Sequence, residues 1–87
     1  MKQIVLNGKD IDSEQQLHGI LSQALDFPEW YGNNLDALWD LLSEGVEREI
    51  ELINSAVMLN ALGAYGCRLL QCFYDAAADG GIKFNIA

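Results

Sequence analysis

The sequence predicts an α/β fold, a three-stranded parallel sheet with four helices in the order βααβααβ. Three observations carry this reading. Three short β-rich runs, at Gln3 to Leu6, Glu49 to Ile53 and Ile82 to Ile86, are each separated by two stretches of helical periodicity. No internal repeat or low-complexity tract interrupts the pattern. Strands joined by helical connections of this length pair in parallel through right-handed crossovers.

Each element has a local cause. The first strand ends on the turn signal Asn7-Gly8. Ser13 with Gln16 forms a capping-box pattern, and Leu17, Ile20, Leu21, Ala24 and Leu25 then repeat at helical spacing up to Pro28. A second helix runs from about Asn34 to Ser43 and is closed by Gly45; Leu35, Leu38, Trp39 and Leu42 fall at i, i+3, i+4 and i+7 and form its inward stripe. In the second strand Glu49 and Glu51 alternate with Ile50 and Leu52, which implies a charged exposed edge. Asn54 or Ser55 caps a short third helix through about Leu62. Gly63 and Gly66 break the chain before a fourth helix over 67–79, whose stripe is Leu69, Leu70, Phe73, Ala76 and Ala77. Gly80-Gly81 ends that helix, and Ile82, Phe84 and Ile86 alternate with polar residues in the last strand.

Eighty-seven residues, half of them hydrophobic and only one of them proline, are expected to make a single domain over 1–87 with one core. The chain is too small for a deep substrate cavity with its supporting layers. No apolar run approaches the roughly 20 residues of a membrane span, and the first residues lack the apolar core of a secretion signal, so a cytoplasmic location is expected. Thirteen acidic against five basic residues give a net charge of −8. That charge opposes contact with nucleic acid and anionic lipid and favours a cationic partner. It is concentrated centrally, where Glu29, Asp36, Asp40, Glu44, Glu47, Glu49 and Glu51 are offset by Arg48 alone. Cys67 and Cys72 would point roughly 140° apart on one helix, cannot easily bridge, and read as small buried residues in a reducing compartment.

The segment Pro28 to Leu42 carries the functional signal. Asp36 and Asp40 are one helical turn apart on a face away from the apolar stripe, where like charges cost a helix a few tenths of a kcal/mol. They do nothing for the fold; a cation from another molecule would reverse the sign of the interaction. Simple solvated charges are the bland alternative. Trp30 and Tyr31 precede the helix between Pro28 and Gly32, and aromatics beside charges are enriched in protein interfaces. One of the two rings is expected to cover the core edge, not both.

Enzymatic readings find little support. Phosphate loops, zinc-protease and serine-hydrolase motifs and calcium loops are all missing from the sequence. His18, the single histidine, follows Leu17 on ordinary helix and reads as a partly buried or solvent-facing structural residue. Asp36 and Asp40 could in principle hold Mg²⁺, but the surrounding acids would repel a phosphate substrate. An acyl carrier needs serine in an Asp-Ser-Leu setting, and Ser13 is followed by Glu14. Neither a cofactor nor a metal is expected.

The run Phe27 to Asp40, reading Phe-Pro-Glu-Trp-Tyr-Gly-Asn-Asn-Leu-Asp-Ala-Leu-Trp-Asp, resembles the signature of the barstar family, intracellular inhibitors of barnase-type ribonucleases. The resemblance extends to the opening strand with Asn7-Gly8, to Leu17-His18 and to the Phe73 to Gly80 helix end, and so covers essentially the whole chain. It implies the barstar-like fold and an inhibitor, monomeric when free, that plugs the active site of a small cationic ribonuclease in a 1:1 complex. Carried over by position, Asp40 would occupy the main phosphate pocket, Asp36 a second charged contact and Asp75 a third at the edge. Trp30 and Tyr31 would pack on the catalytic rim, with Gly32, Asn34, Leu35 and Trp39 completing the surface. The chain departs from the family pattern where Gly45 replaces a tryptophan and Asp75 a glutamate, changes that weaken the peripheral contacts, and where Leu41 and Gly81 replace the family cysteines while Cys67 and Cys72 are new. These imply a cognate enzyme whose rim differs from that of barnase. The alternative function is an acidic interaction or immunity module that binds another cationic protein or a delivered toxin.

Overall fold

The computed structural model describes residues 2–44 and 48–86. Its elements are β1 (Lys2–Asn7), a 3-10 turn (Gly8–Asp10), α1 (Glu14–Ala24), α2 (Leu35–Leu42), β2 (Arg48–Ile53), α3 (Ser55–Leu62), α4 (Ala64–Ala78) and β3 (Lys83–Ile86). The expected order βααβααβ is therefore the observed one, with the 3-10 turn added after β1. Asn7 makes that turn by accepting the Lys9 backbone N–H on its side-chain oxygen at 3.0 Å.

The sheet has strand order β1-β2-β3, and both pairs are parallel. Ile4 lies opposite Ile50 and Leu6 opposite Leu52, so one sheet face presents continuous aliphatic rows. Against them pack Leu17 and Leu21 of α1, Leu38, Leu41 and Leu42 of α2, Met58 of α3 and Leu69 and Phe73 of α4, all buried in one cluster. Because β2 is the central strand, Glu49 and Glu51 lie on the outward sheet face and not on an exposed edge, which corrects the reading from alternation alone. Period two says which face a side chain takes; it does not say which strands flank it.

Arg48 opens β2 on the buried face. Its guanidinium donates to the Leu41 carbonyl at 3.2 Å and lies 5.6 Å from the Phe27 ring centre. The lone base of the acidic central segment is thus spent inside the molecule.

Helix starts follow their caps. The Ser13 hydroxyl accepts the Gln16 N–H at 3.1 Å, and the Gln16 side chain returns a bond to the Asp12 N–H at 2.9 Å. Asn54 is left-handed at φ 54° and does not cap α3 with its side chain, which instead donates to Asn7 at 2.9 Å and ties β1 to the end of β2. The fourth helix begins at Ala64, three residues before the expected start. Gly66 does not break it: a Cβ there would sit 3.1 Å from a Leu59 methyl and 3.3 Å from Leu62 Cβ, so this glycine permits close α3–α4 packing. Cys67 is exposed and Cys72 only half-buried, contrary to two buried thiols. Among the described residues no helix is long and apolar enough to cross a membrane. Gly45, expected to close the second helix, lies outside the described residues.

Candidate functional site

Asn34 builds the junction between the aromatic loop and α2. Its side-chain oxygen accepts the Ala37 N–H at 2.8 Å while its amide donates to the Gly32 carbonyl at 3.1 Å. Gly32 lies flush with this cap, since a Cβ would stand 3.2 Å from the Asn34 amide nitrogen and 3.4 Å from Ala37 Cβ. From there α2 turns Leu38, Leu41 and Leu42 inward, leaves Leu35 and Trp39 half-buried, and exposes Asp36 and Asp40. Asp36 is in the first turn, where the helix dipole favours an anion. Asp40 is in the last turn, where the dipole disfavours one and no basic residue compensates.

The two adjacent aromatics part company. Trp30 is 74% exposed, whereas Tyr31 is 6% exposed and lies under the loop. The division expected from sequence, one ring in and one out, is what the structure contains. A turn closed by the Tyr31 N–H on the Pro28 carbonyl at 3.0 Å sends the two rings in different directions. The Tyr31 ring packs 4.7 Å from Phe27, and its hydroxyl is 2.6 Å from His18 Nδ1.

His18 is itself 1% exposed, which corrects the expectation of a partly buried or solvent-facing residue. Its other nitrogen, Nε2, is 2.6 Å from the Tyr65 hydroxyl on α4. A neutral imidazole has one donor and one acceptor nitrogen, so one tyrosine accepts from the ring and the other donates to it. Burial pushes the His18 pKa down, against the pull of the Glu14 carboxylate. Burial likewise pushes the Tyr31 and Tyr65 hydroxyls up. The trio is therefore uncharged at neutral pH, and it holds α1, the loop and α4 together.

Between α2 and α4 runs a groove of about 240 Å³, lined by Leu35, Asp36, Trp39, Arg68, Gln71, Cys72 and Asp75. The α4 contribution falls at i, i+3, i+4 and i+7, one stripe of that helix. A neighbouring hollow of about 390 Å³ adds Glu14, Asn33, Asn34 and Tyr65 beside Leu35, Asp36 and Arg68. Of the residues proposed from sequence, Leu35, Asp36, Trp39 and Asp75 thus meet in one groove, and Asn34 borders the next hollow. Asp40, Gly32 and Trp30 are exposed outside the groove, and Tyr31 is beneath the surface. The groove is anionic enough to act on its own floor: the Cys72 thiol is pushed up to about 11, by burial first and then by Asp75 and Asp36. Gln71 donates to Asp75 at 2.8 Å and orients that carboxylate.

Sequence reasoning missed Arg68, Gln71 and the link from His18 to Tyr65. The stripe spacing of Arg68, Gln71, Cys72 and Asp75 was a usable signal for the first two. Chemically the site offers charge and exposed aromatic surface. His18 has both ring nitrogens engaged, and the Cys72 thiol stays protonated at neutral pH. Among the described residues no group of three or more histidine, cysteine, aspartate or glutamate side chains is placed to hold a metal ion, so Asp36 and Asp40 lack a third ligand.

Residues 1–87 match the family described as Barstar (barnase inhibitor). YrdF of Bacillus subtilis (strain 168), named as a candidate ribonuclease inhibitor, is 35% identical over 88 residues, covering 99% of this chain and 97% of its own length.

Proposed function

Because the chain belongs to the barstar family, we propose that it is a protein inhibitor of a small cationic ribonuclease of the barnase type, seated in the enzyme's active-site cleft in a 1:1 complex. The observation that carries this reading is the state of α2: Asp36 and Asp40 are both exposed on it, and among the described residues neither has an ion-pair partner. Had the chain's own lysines or arginines neutralised them, nothing would remain to attract a catalytic cleft.

The mechanism is substitution of carboxylate for phosphate. A ribonuclease cleft is lined with cationic donors arranged for the RNA backbone, and a carboxylate accepts the same short, charge-assisted hydrogen bonds. Asp40 enters the phosphate pocket, Asp36 takes a neighbouring cation, and Asp75 contributes at the edge, oriented by Gln71. Trp30 covers the rim and excludes water, which strengthens each charge pair. Tyr31 supports this from below by fixing the loop, and Leu35 and Trp39 supply the apolar floor of the contact. The excess negative charge speeds encounter with a cationic enzyme and makes association sensitive to salt.

The deciding experiment mixes the protein with barnase and related ribonucleases and follows RNA cleavage. Stoichiometric inhibition that is lost in Asp40→Ala is expected. Full cleavage by every such enzyme, including any encoded beside this chain, would discard the proposal; capture of an unrelated cationic protein dependent on Asp40 would favour the interaction-module alternative.

A further inference from the structure

We propose that Arg68 selects the partner: it pairs with a carboxylate on the rim of the ribonuclease, beside the cationic cleft that receives Asp36 and Asp40. This rests on the inhibitory reading above and names what distinguishes one target enzyme from another.

The chain has only five basic residues against thirteen acidic ones. Arg48 is buried beneath Phe27, and Lys9 and Lys83 stand on the 3-10 turn and β3. Among the described residues Arg68 is the cation that lines the groove between α2 and α4, and it also lines the neighbouring hollow. With Leu35 and Asp36 it forms the wall that the two share, within the surface that the inhibitory reading requires to be anionic. A cation there repels the very lysines and arginines that Asp36 and Asp75 attract.

Two features show that this charge is placed and not merely tolerated. Its guanidinium lies 5.7 Å from the centre of the Tyr65 ring, and the hydroxyl of that ring is held by buried His18 at 2.6 Å. The platform is therefore anchored to the core, and the cation above it is pre-positioned. Glu14, Asp36 and Asp75 line the same hollows, yet among the described residues no carboxylate is in ion-pair contact with Arg68. Gln71, its neighbour one turn on, is committed to Asp75. The fork of donors is left open toward solvent. A repulsive element inside an attractive surface is how an interface rejects close relatives of its partner; the accepted partner supplies the opposite charge at that point.

The test is a charge-reversal cycle with barnase as the probe. Single Lys→Glu and Arg→Glu variants on the barnase rim, outside its catalytic residues, are assayed for inhibition by the wild-type chain, Arg68→Ala, Arg68→Glu and Asp40→Ala. Thermal melting checks that each Arg68 variant is folded, as expected for an exposed side chain. At one rim position the reversal should tighten the wild-type complex and loosen the Arg68→Glu complex, with a coupling of about tenfold or more. Rim reversals that act alike on both chains, to within about twofold, overturn the role of Arg68 while leaving inhibition intact. Failure of the wild-type chain to inhibit barnase and every related ribonuclease put in its place, including any encoded beside this chain, overturns the inhibitory reading and this inference with it; unchanged inhibition by Asp40→Ala overturns the seating of α2 in the cleft, on which the place of Arg68 at the rim depends.

Discussion

The outer face of α2 and the buried cluster beneath it treat polar groups in opposite ways. Under the loop, His18, Tyr31 and Tyr65 satisfy one another through two 2.6 Å contacts, and among the described residues no buried side-chain nitrogen or oxygen lacks a partner. On the surface a few residues along the chain, Asp36 and Asp40 are exposed, and Trp30 turns its ring to water. Polar groups inside are paired because an unpaired one costs about 1–3 kcal/mol. Polar groups outside cost almost nothing unpaired, so they are free to be arranged for another molecule. Trp30 and Tyr31, neighbours in sequence, are thus divided: one ring lies open to solvent, and the other is built into the cluster that supports the loop.

The outer face is most sensitive at Asp40. Replacing it by alanine should weaken inhibition by more than about a hundredfold, since breaking a desolvated charge pair costs about 3–5 kcal/mol. The same change should leave the fold intact or a few tenths of a kcal/mol firmer, because it relieves repulsion from Asp36 and removes an anion from the helix C-terminus. Inhibition assays and melting curves on one preparation decide both halves.

The inner cluster should respond in the reverse sense. His18→Leu leaves two tyrosine hydroxyls without their buried partner and should lower stability by about 2–4 kcal/mol, read from the urea midpoint. Inhibition should fall less than stability, because the anionic face survives wherever the protein remains folded. A smaller effect comes from acid. The folded-state pKa of His18 is held below its ordinary 6.5 by burial. The unfolded chain therefore binds the proton more readily, so the stability that neutral His18 contributes is complete above 6.5 and is lost as pH falls below it toward the depressed value. Urea midpoints at about pH 7.5 and about pH 5.5 should show this loss in the wild-type chain, and the histidine-dependent part of it should vanish in His18→Leu.

The gentlest probe is thiol chemistry across the groove. Cys67 is exposed, while Cys72 lies half-buried on the groove floor with its thiol pushed up to about 11. Only the thiolate reacts, so at mildly alkaline pH an alkylating agent should modify Cys72 at least about tenfold more slowly than Cys67. Peptide mapping after timed quenching distinguishes the two. Equal rates would mean that the groove is more open, or less anionic, than the lining by Asp36 and Asp75 implies.

Much of the fold could be read locally. Ser13 with Gln16, Asn34 before Leu35 and the i, i+3, i+4 spacing of leucines act over a few residues, so each signals its helix wherever the helix ends up. The limits of that reading were equally physical. Gly66 looks like a breaker in sequence and is a close-packing residue in α4, because only the presence of α3 makes a missing Cβ useful. Glu49 and Glu51 look like an edge until a third strand pairs beyond them. Asp36 and Asp40 were legible as a solvent-facing pair; the groove that adds Asp75 and Arg68 was not, since it exists only where α2 and α4 meet.

By itself the sequence determined the order of elements, the cap of α2, the anionic face on it and the family to which the chain belongs. Which aromatic is buried, what His18 holds and where Arg68 stands in the groove were settled only by the tertiary structure. The reason is reach. Hydrogen-bonding caps and apolar spacing act between residues within a turn or two, whereas His18 meets partners 13 and 47 positions away, contacts that exist only after the chain has closed around a common core.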